Sequence, residues 1–233
     1  MKIKRNGGFT LIELLVVITI IAILASFAVP VFTKVIANAQ QSKQINNCKQ
    51  ILTGCALFAA DKGGGVYPSG LLDEEGNFDS EASVTSDAEL AFNDLFKAGI
   101  IDLEALFYNN KNTVKCGLVP PDEDGELEAA ENCWDIVTGM NNTVGNLPLI
   151  AEASDGDGAT WTLGGGGHPW IGSVVVGMAD GSSTKKESLS SAGEAKVNRK
   201  SGQGVALMTV GTAEDGWPST AENAYAGDGG GGG

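Results

Sequence analysis

The order of patterns along the chain predicts an α+β protein, with a long helix first and an antiparallel sheet afterwards. Apolar side chains recur at helical spacing through residues 9–62. From Cys133 onward the pattern changes to short runs rich in Val, Ile, Trp and Thr, separated by Gly and Asp turns. Helices and strands that are segregated along a chain are typical of α+β folds. We therefore expect the sheet to pack on the apolar face of the helix.

The helix opens in an apolar run from Phe9 to Val29 that carries one charged side chain, Glu13. Its 21 residues would form a helix about 31 Å long, enough to cross the hydrocarbon core of a bilayer. Three cations precede the run: Lys2, Lys4 and Arg5. Cations on that side predict a cytoplasmic N-terminus and an external head. The run therefore predicts a single membrane-spanning helix.

The helical pattern resumes beyond Pro30, so we expect a kink at this residue rather than an end. An apolar stripe continues at steps of three and four residues: Ile45, Cys48, Ile51, Leu52, Cys55, Phe58 and Ala59. Polar residues that we assign to the opposite, solvated face are Lys34, Gln41, Lys43, Gln44, Asn47, Lys49 and Gln50. Gly63–Gly65 predicts the end of the helix.

The segment Gly8-Phe9-Thr10-Leu11-Ile12-Glu13, with its basic leader and the apolar helix behind it, resembles the prepilin signal of type IV pilins and type II secretion pseudopilins. The resemblance implies that a prepilin peptidase cuts after Gly8 and that the new amine on Phe9 is methylated. It implies that Glu13 then faces the terminal amine of a neighbouring subunit during filament assembly. Pilins also carry a proline at the position of Pro30, and they share the α+β architecture expected above.

A secretory signal peptide and a simple membrane anchor each fit part of the same segment. A signal peptide would be cut on the far side of the run, near Ala28, but such peptides have a shorter apolar core. A simple anchor would let Glu13 snorkel to the headgroups. A carboxylate at the centre of a membrane helix costs about 2.5–3.5 kcal/mol, so an acid near one end still calls for a reason.

Beyond the helix, Ser86 and Glu89 form a capping-box pattern that predicts a short helix ending at Gly99, and Asp102 is placed to cap one further turn. Five segments are expected to be strands: Cys133–Val137, Leu147–Glu152, Thr160–Leu163, Ser173–Met178 and Val205–Val210. The polar residues 185–200 suit a short helix or a loop. The predicted organisation is a leader (1–8), a membrane and assembly helix (9–29), an amphipathic continuation (30–62), a head (63–225) and a disordered Gly-rich tail (226–233).

The four cysteines permit three full pairings. Cys48 and Cys55 would lie about 10 Å apart along a helix, too far for a disulfide. Cys116–Cys133 is then the expected bridge, and four buried thiols are the alternative.

The formal charge is −14, and it is −17 without the three leader cations. An acidic head disfavours nucleic-acid binding through phosphate contacts. Asp155, Asp157 and Asp180 lie in turns and are candidate calcium ligands, although they lack the spacing of an EF-hand. No other cofactor is expected. The one histidine, His168, lies beside a Gly run, and no nucleophile elbow occurs, so we expect a turn residue and no enzyme.

The resemblance implies a structural subunit of a filament anchored in the bacterial inner membrane, with its head in the periplasm. Its expected partners are the prepilin peptidase, other pilin or pseudopilin subunits and an inner-membrane assembly platform. A type II secretion pseudopilin is the leading prediction. The alternatives are a type IV pilus subunit, serving adhesion, motility or DNA uptake, and a membrane-anchored binding protein that does not polymerise.

Overall fold

The structure, a computed structural model, describes residues 9–79, 83–109, 119–128, 131–143, 145, 147–153, 173–181, 184–188, 196–198, 204–206 and 222–224. The chain divides between Ser42 and Lys43 into two compact units. The N-terminal unit consists, over its described residues, of the apolar half of the first helix. The second unit holds the rest of that helix and the head.

The first helix, α1, spans Leu11–Asp61 without interruption, as the apolar pattern predicts. Pro30 lies inside it. Because proline has no N–H, the carbonyl of residue 26 loses its usual helical partner there. The helix ends at Gly63–Gly65, where Gly64 and Gly65 have φ angles of 58° and 93°. Glycine reaches this left-handed region at no steric cost, so the predicted stop signal is confirmed.

The predicted apolar stripe of α1 lies in the core of the head. Its buried members are Cys48, Ile51, Leu52, Cys55, Phe58 and Ala59. The stripe meets the sheet closely at Gly177, where a Cβ atom would lie 2.6 Å from Leu52 Cδ1 and 2.9 Å from Cys48 Sγ. A side chain at this position would push helix and sheet apart. The expected packing of the sheet on the apolar face of α1 is therefore confirmed.

Three residues that we assigned to the solvated face of α1 are buried instead: Gln41, Gln44 and Asn47. Gln44 Nε2 donates to the carbonyl of Tyr108 (3.4 Å), and Asn47 Nδ2 donates to the carbonyl of Leu106 (3.1 Å). The same Leu106 carbonyl accepts from Trp134 Nε1 (3.3 Å). Buried carbonyls outside a ladder need such donors. Gln44 and Asn47 therefore fasten residues 106–108 to the helix.

The second helix, α2, spans Ala88–Lys97. Its N-cap is Asp87, one residue after the predicted Ser86, and the Asp87 carboxylate accepts from the amides of Glu89 (3.0 Å) and Leu90 (3.2 Å). Aspartate and serine cap equally well, and here Asp87 has the extended backbone that a cap requires (φ −101°, ψ 121°). The predicted turn after Asp102 is a 3₁₀ helix over Glu104–Leu106 that no side chain caps.

The strands of the main sheet are β1 (Trp134–Thr138), β2 (Pro148–Glu152), β3 (Ser173–Met178), β4 (Thr184–Ser188) and β7 (Glu222–Ala224). The sheet is antiparallel, in the order β4-β3-β2-β1-β7. A separate pair consists of β5 (Lys196–Asn198) and β6 (Gly204–Ala206). The first three strands match the predicted ones to within one residue at each end. All described side chains of β1 and β2 are buried.

The prediction for residues 185–200 was wrong, since this stretch contributes β4 and β5. The β4 strand lies at an edge of the sheet, where charged side chains are common because one side of the strand meets solvent. A polar composition therefore did not exclude a strand. The segment predicted over Val205–Val210 overlaps β6 at residues 205 and 206, and residues 207–210 lie outside the described part of the chain. Thr160–Leu163, the tail and the leader lie outside the described residues.

Candidate functional site

Thr10 and Glu13 form a reciprocal cap at the start of α1. The Glu13 carboxylate accepts from the Thr10 amide (2.8 Å) and the Thr10 hydroxyl (2.6 Å). The Glu13 amide donates in turn to Thr10 Oγ1 (3.3 Å). This is the geometry of a capping box, which satisfies amides that the first helical turn leaves unpaired. The chain itself therefore holds the carboxylate at the positive end of the helix dipole.

The role of Thr10 was missed in the sequence, although the Thr-x-x-Glu spacing is the signal that would have found it. Glu13 lines a shallow depression of about 370 Å³ together with the apolar side chains of Phe9, Ile12, Val16 and Val17. Two hydroxyls further along the apolar run donate to backbone carbonyls of their own helix, at Thr19 (2.8 Å) and Ser26 (2.7 Å). Glu13 thus remains the one ionisable side chain between Phe9 and Thr33.

Helix α1 is long and apolar enough to cross a membrane, judged by length and composition. Its apolar residues from Leu11 to Val29 project outward from their unit instead of packing in a core. A carboxylate near one end of such a helix can accept hydrogen bonds from an amine at the same depth. Cleavage after Gly8 would create that amine on Phe9. Gly8 lies outside the described residues, and the cut, the methylation and the kink at Pro30 stay predictions.

The structure places the predicted calcium ligands only in part. Asp180 is exposed, whereas Asp155 and Asp157 lie outside the described residues, as does His168. Within the described part of the chain, carboxylate oxygens that could share a metal ion lie within 4.8 Å of one another on Glu104, Asp122 and Asp124.

Glu104 gives that acidic cluster a structural role. Its buried carboxylate accepts from the amides of Glu123 (2.7 Å) and Gly125 (2.6 Å). Both oxygens are therefore already engaged by the backbone, and Glu104 clasps residues 123–125. Sequence reasoning missed this contact because Glu104 and the loop it holds are about 20 residues apart.

Glu131 adds a further buried carboxyl beside the cluster. Its Oε2 accepts from the Glu128 amide (3.2 Å). Burial raises the pKa of Glu131 above its ordinary value of 4.5, and the negative charges of Glu104 and Asp122 raise it further. A raised carboxyl pKa means that the folded protein binds a proton more readily than the unfolded chain does. This group therefore favours folding more at low pH than at high pH.

We expect Glu131→Gln to stabilise the head at alkaline pH, because the amide keeps an acceptor oxygen and removes the charge. The melting temperature should rise by about 2 °C near pH 8. The gain should shrink as the pH falls through the raised pKa towards 4.5, since wild-type Glu131 is then protonated too. Thermal melts across this pH range would measure the difference.

The exposed Glu126→Gln variant is the matched control for that experiment, and its difference from wild type should stay small. A gain from Glu131→Gln that is constant with pH would contradict an electrostatic cause.

The cysteines differ from the prediction at one position. Cys48 and Cys55 are buried free thiols, as expected. Cys133 is also a buried free thiol, and its sulfur accepts from the Asn109 amide (3.3 Å). This disagrees with the predicted bridge to Cys116, which lies outside the described residues. Burial raises the pKa of the Cys48 and Cys55 thiols, so both stay protonated and unreactive.

Comparison with known proteins shows what the N-terminal segment is similar to. Residues 3–29 match the family model described as the prokaryotic N-terminal methylation motif. The chain is 47% identical over 58 residues to the type IV major pilin protein PilA of Myxococcus xanthus (strain DK1622). That alignment covers 25% of this chain and 26% of the relative, so the chain spans about a quarter of the length of the relative it matches. No solved structure matches the chain. The methylation motif, the pilin relative and the apolar N-terminal helix agree, and the N-terminal segment of this chain is type IV pilin-like.

Proposed function

We propose that this protein is a structural subunit of a type IV pilus. It enters the inner membrane as a precursor, is cut after Gly8, is methylated on Phe9, and joins a filament through the apolar half of α1. The observation that carries the proposal is the placement of Glu13. It is an isolated carboxylate in an apolar run, five residues after the cleavage junction at Gly8, and it already accepts from the amide and the hydroxyl of Thr10 at the helix N-terminus.

The choice between pilus and secretion system rests on the named relative. A type IV major pilin shares 47% identity over 58 residues, which favours the pilus over the pseudopilin that the sequence alone favours. The free thiol of Cys133 favours the pseudopilin instead, because a disulfide-closed C-terminal loop is expected of a pilin. The prepilin peptidase, other subunits and an assembly platform are the partners in either case. The role is structural in both, and calcium stays a prediction.

Recovery of the chain from cell-surface filaments would test this proposal. We expect mechanical shearing of intact cells to release a high-molecular-weight fraction that contains the chain. Mass spectrometry of this fraction should give an N-terminus at Phe9 with one methyl group on the amine. The expected reason is that only the processed subunit presents the amine to Glu13 of its neighbour.

The remaining outcomes separate the alternatives. A chain that begins at Phe9 but stays in the cell envelope would favour the secretion pseudopilin. An intact Met1 would exclude both filament functions and leave the membrane-anchored binding protein. A cut near Ala28 would also exclude both filament functions, and it would identify the apolar run as a secretory signal peptide.

A further inference from the structure

An apolar patch continues along α1 beyond the run that matches the bilayer. We call it the collar; its apolar members are Val31, Phe32, Val35 and Ile36, all 54–63% exposed, and it includes Lys34. From Phe9 to Ile36 the helix is about 42 Å long, against a hydrocarbon core of about 30 Å. To bury that length, the helix would have to tilt by about 45°, beyond the range of about 0–40° that membrane helices adopt. The collar therefore needs a cover other than lipid.

The head carries a groove that, like the collar, exposes apolar side chains. One wall is the exposed side of α1 and the other is the segment Ile100–Leu106; the lining residues on α1 are Lys49, Gln50, Thr53, Gly54 and Leu57. The volume is about 380 Å³. Its floor depends on Gly54, where a Cβ atom would lie 2.7 Å from Ile101 Cδ1. Leu57 and Leu103 flank it and are 55% and 44% exposed.

We propose that the collar of one subunit docks into the groove of a second copy of this chain. The apolar collar side chains cover Leu57 and Leu103, and the Lys34 ammonium faces the exposed Asp102 carboxylate at the groove. Lys49 remains in solvent at the helix wall, since the collar contains no acid. This inference rests on the proposed filament function.

Two observations favour a second copy of this chain as the molecule that occupies the groove. In a filament of identical chains, every collar meets one groove. The groove is also built on α1, the helix through which the subunits are proposed to join. The single cation of the collar and the single acid of the groove are complementary in charge.

Charge reversal tests the pairing. We expect Lys34→Glu and Asp102→Lys each to lower the yield of sheared filaments about three-fold or more, because each places like charges at the contact. The double variant should restore the yield, since it re-forms the pair with reversed sign. Lys43→Glu, an exposed cation of α1 outside both surfaces, is the matched control and should leave the yield unchanged. Membrane levels of each variant, measured by immunoblot, correct for folding.

Cysteine crosslinking tests the contact without relying on charge. A chain that carries both Phe32→Cys and Thr53→Cys should form covalent dimers, trimers and higher oligomers when filaments are treated with a short bifunctional thiol reagent. Denaturing gel electrophoresis should show these oligomers as a ladder of bands. Phe32→Cys paired with Asn46→Cys, which is exposed on α1 away from the groove, should give none. An absent ladder, or an adduct with a different protein, would overturn the docking while filaments still form. Absence of wild-type filaments would instead overturn the proposed function.

Discussion

We expect Glu13→Ala to enter the membrane as well as the wild type and to be missing from filaments. Removing a carboxylate from an apolar run lowers the cost of insertion. Insertion should therefore not suffer. Filament assembly should fail, because the amine on Phe9 of the adjoining subunit would have no anionic partner. An unpaired charge is very costly in an apolar medium. Immunoblots would give the ratio of subunit in the sheared fraction to subunit in the membrane, and this ratio should fall at least about 100-fold.

Glu13→Gln separates the charge from the cap. The amide keeps an oxygen that can accept from the Thr10 amide, as the carboxylate does at 2.8 Å, but it carries no charge. If pairing with the amine drives assembly, this variant fails like Glu13→Ala. Glu13→Gln filaments at the wild-type level would show instead that the cap at Thr10 is what matters. Glu13→Ala filaments at the wild-type level would remove Glu13 from assembly altogether.

The helix and the first strands could be predicted because their signals are local. The apolar stripe from Cys48 to Ala59 has the helical period, and Gly63–Gly65 supplies the stop. The β-branched run at Ser173–Met178 gave the bounds of β3 without error. At the candidate site, the apolar run, its length and Glu13 were all visible in the sequence, as was the Thr-x-x-Glu spacing that was overlooked.

The errors arise where distant segments decide the outcome. Gln44 and Asn47 look like solvated helix residues, yet their amide groups bind carbonyls 64 and 59 residues away. Glu104 lies in a short turn, and its role depends on a loop that follows much later. A polar side chain is buried when a remote backbone group needs a partner, and no periodicity in the sequence records that need.

Asp94 is the clearest such case, and its replacement should have the largest effect on the stability of the head. Its fully buried carboxylate accepts four backbone amides. Oδ2 accepts from Ser69 (3.0 Å), Gly70 (2.8 Å) and Leu71 (3.1 Å). Oδ1 accepts from Leu72 (3.0 Å). The carboxylate therefore fixes the segment that leads out of α1 onto α2.

Asp94→Asn keeps the shape of the side chain but turns one acceptor into an NH₂ donor. Whichever way the amide is oriented, it faces at least one backbone N–H with a donor and leaves it unpaired in a buried site. We expect a loss of about 3–4 kcal/mol in the free energy of unfolding, since hydrogen bonds to charged groups are stronger and buried donors are costly to leave unmade. The melting temperature should fall by about 10 °C. Thermal unfolding of the full chain in detergent would measure it.

Asp73→Asn is the matched control for this change. Asp73 also accepts a backbone amide through its carboxylate, from Asn77 at 2.7 Å, but in an exposed turn. Water can replace the lost acceptor there, so the variant should melt within about 2 °C of the wild type. The contrast between two aspartates with the same chemistry isolates burial as the cause. If Asp94→Asn lowers the melting temperature as little as Asp73→Asn does, the four amides do not depend on the charge of Asp94. The segment must then be held by the apolar packing of its leucines.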